Sequence, residues 1–130
     1  MLDNAVEVKS LTAPTTITAD TGSTAIDTSA YEGNLLLVLS VASGGTGTLS
    51  VTVQDSADNT AFSTVPSDAL FDPNTGDDAM FGNVTSSASF QVLALKKTRC
   101  QRYVRLYYDA GTSHNVAAVA VVMKKYANFI

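Results

Sequence analysis

The sequence predicts an all-β protein, an antiparallel β-sandwich of about eight strands, and three observations carry that reading. Thr, Ser, Val and Ala dominate, whereas Glu occurs only twice and Trp is absent. That composition favours strands over helices. Segments such as "LSVTV" alternate apolar and polar residues with a period of two. Between these segments, clusters of Gly, Pro, Asn, Asp and Ser recur at the spacing of a sandwich. At 130 residues, 45% hydrophobic and 15% charged, the chain is long and apolar enough to bury one core.

Taken in order, "AVEVKSL" (5–11) alternates weakly and is broken at Pro14. Its Thr/Pro content marks residues 1–16 as an N-terminal arm reaching a neighbour, with a single sandwich domain over 17–130. "TTIT" and "STAIDTSA" are short Thr-rich strands either side of a turn at Gly22. "LLLVLSVA" (35–42) is apolar on both faces, as a central strand covered on each side would be. "SGGTG" (43–47) follows as a hairpin loop. It has neither the GxGxxG nor the Gly-Lys-Ser/Thr spacing of a phosphate cradle, and no helical pattern follows it.

"TLSVTVQD" reads as a half-buried strand about 27 Å long, with Leu49, Val51 and Val53 on its inner face. After an irregular stretch, 66–83, comes "SFQVLAL" (89–95) and the basic connection "KKTRCQ". "RYVRLYYD" (102–109) alternates well: Val104, Leu106 and Tyr108 suit the core, while Tyr103, Arg105 and Tyr107 point outward. "AGTSH" turns the chain into "NVAAVAVVMKK" (115–125), and the last two strands read as a hairpin. Ala117, Ala118 and Ala120 suggest close approach by a neighbouring element.

Charge is unevenly spread. Residues 1–95 carry Lys9 against eleven acids, a net −10, and residues 96–130 carry seven bases against Asp109, a net +6. Either the surface is bipolar, or antiparallel pairing mixes the strands and cancels the asymmetry. The small basic cluster in an acidic whole argues against nucleic-acid binding. The apolar runs are shorter than a membrane helix needs, and no basic region precedes an apolar run at the N-terminus. With one cysteine there is no internal disulfide, so the expected product is made in the cytoplasm.

No chemical set assembles from the sequence. In "DSADN" the count from Asp55 places Ala57 and Thr60 where a calcium loop of EF-hand type needs a ligand and a glycine. The segment therefore reads as a strand-end turn. His114 reads as an exposed loop residue. Lys97 and Arg99 could lower the Cys100 thiol pKa, though a small half-buried residue is the plainer role. No triad, zinc set or cofactor follows, and no enzyme is expected.

Two regions read as binding surface. The Tyr103/Arg105/Tyr107 ladder has the residue types enriched at interface hot spots, and equally those of ordinary cross-strand pairs. In 66–83, Phe71, Met80 and Phe81 interleave with Asp68, Asp72, Asp77 and Asp78. Such a loop packs against its own sandwich or a neighbour. It is either a carboxylate-lined cation site or a solvated acidic loop pinned by its apolar residues.

The combination "LSVTVQDSADNTAFSTV" then "FQVLALKKTRCQRYVRLYYDAGTSHNVAAVAVVMKK" resembles the small jelly-roll-like decoration, or cement, proteins of tailed-bacteriophage capsids, over roughly residues 34–125. The resemblance implies a jelly-roll-like sandwich and a structural virion protein on the capsid surface. It further implies a homo-oligomer, favoured as a trimer, that binds the major capsid protein and braces the shell. The alternatives are a carbohydrate-binding module, which the lack of Trp disfavours, and a tail accessory or head-completion subunit.

Overall fold

A computed structural model of the chain describes residues 6–124, which form two antiparallel sheets packed face to face. The strands are β1 (Val6–Ile17), β2 (Thr21–Gly22), β3 (Ile26–Asp27), β4 (Tyr31–Val41), β5 (Leu49–Ser56), β6 (Ser63–Thr64), β7 (Leu70–Phe71), β8 (Ser89–Leu95), β9 (Tyr103–Ala110) and β10 (His114–Lys124). The first sheet has the order β1-β10-β4-β8-β7. The second has β2-β9-β5-β6, with β3 also paired to β9.

The pairs β1 with β10, β2 and β3 with β9, β4 with β8 and β5 with β6 are those of one long hairpin wrapped over itself. That is the strand order of a jelly roll, if β2 and β3 count as one interrupted strand and β7 as an added edge. Among the described residues no helix is long and apolar enough to cross a membrane.

Alternation selects the core. Leu49, Val51 and Val53 of β5 and Val104, Leu106 and Tyr108 of β9 are buried, as their spacing predicts. From the other sheet Leu35, Leu37, Leu39 and Val41 of β4 meet them, with Val116, Ala118, Ala120 and Val122 of β10. Tyr108 keeps its hydroxyl satisfied inside the core by a 2.7 Å hydrogen bond with Thr12 Oγ1.

Three local expectations are corrected. Residues 6–16, expected as part of an arm, pair with β10 of their own sheet. Residues 1–5 of that arm, and Lys125 of the last expected strand, lie outside the described residues. Pro14 does not end β1, because β1 is an edge strand and the register shifts around Thr12–Thr15 leave a missing N–H without consequence. Neither 43–48 nor 111–113 closes a hairpin. Each carries the chain from one sheet to the other, so β4 and β5, and β9 and β10, face one another across the core.

The charge asymmetry is partly cancelled in space. Arg99 pairs with Asp68 at 2.7 Å and Arg102 with Asp27 at 2.8 Å, both joining the basic segment to the acidic one.

Candidate functional site

The outer face of the second sheet gathers the predicted ladder. Tyr103, Arg105 and Tyr107 all point away from the core and are half-buried by their neighbours. Register places Gln54 of β5 opposite Arg105 and Thr52 opposite Tyr107, with Gly22 and Asp27 on the other flank. The Arg105 guanidinium lies over the Phe62 ring at 4.1 Å and over Tyr107 at 5.8 Å, and its Nε donates to Gln54 Oε1 at 2.9 Å. A side chain at position 22 would meet Arg105 Nη1 at 2.6 Å, so glycine there leaves the guanidinium its place.

A second stack extends the face. Arg102 lies over the Tyr103 ring at 5.0 Å, and its Nε and Nη2 donate to the two carboxylate oxygens of Asp27. The Arg102 hydrogen bond, helped by Ser29, holds the Asp27 carboxyl far below the usual carboxylate range. At the far end Asp109 is raised by the charge of Asp20 beside it. The result is an alternating aromatic and guanidinium surface whose arginines are fixed by intramolecular partners. Side chains locked in this way lose little entropy on binding. Arg105, expected as a contact residue or as part of ordinary cross-strand pairing, is the clamp that holds the face together.

The 66–83 contacts separate. Phe81 is 5% exposed and belongs to the core, so it is not a surface contact. Bridges from Leu49 to Val84 and from Phe71 to Asp78 fasten the loop inward on either side of it. Met80 is 74% exposed, at the lip of a notch of about 190 Å³ beside Val51, Val53 and Leu70. Phe71 points instead to the outer face of the first sheet, with Lys96 Nζ 5.6 Å from its ring centroid.

The acids of this loop also diverge. Asp68 takes Arg99, and Asp72 accepts from the Asn74 N–H in a local turn. Among the described residues no three His, Cys, Asp or Glu side chains group to hold a metal ion.

"DSADN" is the strand-end turn the sequence suggests. Asp58 Oδ1 accepts from Ser56 Oγ and from the Thr60 and Ala61 N–H groups, and Asn59 takes φ 62°. Asp55 is buried, its Oδ2 accepting from the Gln101 N–H at 2.8 Å.

One single residue is corrected and another keeps its plainer reading. His114 is 1% exposed, not a loop-tip side chain: it is the first residue of β10 and points inward with Val116. Cys100 is the small half-buried residue of the plainer reading, and its basic neighbours do not activate it. Burial pushes its thiol up to about 11, Asp55 adds to that, and Lys97 only partly opposes it. At pH 8 the native thiol is therefore expected to alkylate about 100-fold more slowly than in the unfolded chain, because reaction follows the thiolate fraction. Iodoacetamide labelling followed by mass spectrometry, with and without denaturant, checks this; equal rates would refute it.

Sequence reasoning missed Phe90, 71% exposed, and the aliphatic outer face of the first sheet on which it stands. The signal was present in the two-faced apolarity of 35–42. No protein-family model, curated protein or solved structure matches the chain.

Proposed function

We propose that this chain is a non-catalytic structural protein of the capsid-decoration type, binding the major capsid protein on the outside of a bacteriophage shell and bracing it as a homo-oligomer. The observation that carries the reading is the preorganised Tyr103/Arg105/Tyr107 face, built on rigid strands rather than loops. Tyr and Arg are the side chains that most often dominate interface energies, and here their rotamers are set before any partner arrives. Many weak copies on a lattice gain avidity without a large individual interface.

The test is electron microscopy of the parent particle with and without this chain, followed by add-back. Tyr103→Ser with Tyr107→Ser should lower occupancy on stripped particles at least tenfold, about 1.4 kcal/mol, while circular dichroism stays native. Undiminished occupancy would remove this face from the reading. Failure of the wild type to bind any shell, together with retention on a glycan array, would replace the reading with carbohydrate binding.

A further inference from the structure

The outer face of the first sheet is aliphatic where an antiparallel sheet facing water would be polar. Cross-strand register aligns Val8, Val121, Leu36, Ala94 and Phe71 in one row across all five strands. The next row is Ser10, Val119, Val38 and Val92. The third is Ala117, Ser40 and Phe90. Glu32 and Lys124 lie at the margins, and the one charge that reaches the rows is at their end, where Lys96 Nζ lies over the Phe71 ring.

With strands about 4.8 Å apart and same-face residues about 6.8 Å apart, the twelve positions in these rows cover on the order of 400 Å². Two such faces would bury on the order of 800 Å² in total, the size of a weak, concentration-dependent pair. A patch of this size matches the largest on a typical monomer, and such patches are often functional.

We propose that two copies of this chain pack through this face, about a two-fold axis running along β4. Such an axis exchanges β10 with β8 and β1 with β7 while keeping each residue in its row. Val119 then meets Val92, Val8 meets Phe71, and Phe90 meets Ala117. At Ala117 the surface has a hollow of about 370 Å³ lined by Pro14, Thr15, Thr16 and Ser40, so the protruding ring enters it and the partner's ring enters the reciprocal hollow. A self-complementary knob and hollow in one row is what an isologous interface requires. Away from Lys96 at the Phe71 end, a charged partner would find nothing on these rows to pair with, whereas a second copy presents the same aliphatic surface, packed about 10 Å away in an aligned stack.

The pairing does not depend on the proposed function. If that reading also holds, the four-layer pair carries its two Tyr/Arg faces on opposite outer sides and can bridge two capsid subunits.

Sedimentation velocity of the full chain from 1 to 100 µM tests the pairing, with circular dichroism as the check on folding. The wild type should approach twice the chain mass towards 100 µM, Phe90→Ser and Val121→Glu should dissociate at least tenfold more readily, and Tyr107→Ser should pair as the wild type does. A wild type that stays monomeric at 100 µM would mean that something else covers the face, and overturns the proposal. So do a trimer, an open-ended assembly, or pairing unchanged in Phe90→Ser. Because Phe90 is exposed and its removal leaves the core intact, that variant decides the question even if Val121→Glu fails to fold.

Discussion

Leu37→Ala is expected to lower the unfolding free energy by about 3–4 kcal/mol and the melting temperature by roughly 10 °C. Leu37 is 0% exposed at the middle of β4, the central strand of the first sheet, between Ala120 on β10 and Leu93 on β8. Its neighbours are held by two ladders, so the cavity left by three missing carbons cannot collapse. Leu36→Ala, one residue earlier in the same apolar run, points outward and should cost under about 1 kcal/mol in the monomer, a transfer cost with little cavity. Urea unfolding of both variants at low protein concentration checks the pair. A larger loss for Leu36→Ala would invert the faces of β4 and with them the whole sheet assignment.

That contrast also shows what local pattern can and cannot convey. β5 and β9 alternate strictly, and their inner and outer faces were legible because only one face of each is apolar. β4 and β10 are apolar on both faces, so periodicity identifies them as central strands without saying which side meets the core. The answer lies in register with strands more than 70 residues away. Turn chemistry has the same blind spot. Glycine-rich turns at 43–47 and 110–114 reverse the chain whether the next strand pairs beside the last or arches across the core. The choice is set by which arrangement buries more inner-face surface. Pro14 looked like a stop because an interior strand could not carry it, and only the edge position of β1 makes it harmless.

The candidate site divides along the same line. Tyr103, Arg105 and Tyr107 were placed on one face by a period of two, which needs no tertiary knowledge. That Arg105 is held by Phe62 and Gln54 depends on β5 and its following turn lying beside β9, a long-range fact. Phe71 and Phe81, ten residues apart in one loop, end on the outside of one sheet and in the core respectively. A loop without period gives no rule for sorting them.

His114 was misplaced for a related reason, and its surroundings yield the second large expected effect. Gly45→Ala should destabilise the protein by about 2–3 kcal/mol, the cost of overpacking a closed interior. A methyl at position 45 would fall against the His114 ring, 2.8 Å from Cε1. The ring is enclosed, and the loop above it is pinned by the Gly44 N–H to the Ser86 carbonyl and the Thr46 N–H to the Ser113 carbonyl. Positive φ at Gly44 and Gly47 sets the path of that loop.

If the clash is the cause, the two positions must couple. In a His114→Ala background the added methyl enters vacated space and should cost well under about 1 kcal/mol, leaving a coupling energy near 2 kcal/mol. The imidazole itself contributes little to stability, because among the described residues neither buried ring nitrogen has a hydrogen-bond partner. His114→Leu should therefore be neutral or stabilising by about 1 kcal/mol. Additive losses in the double-mutant cycle would mean that position 45 needs glycine for its backbone alone. A large loss in His114→Leu would mean that the imidazole has a polar partner, such as a bound water, and the apolar account of this corner of the core would fail.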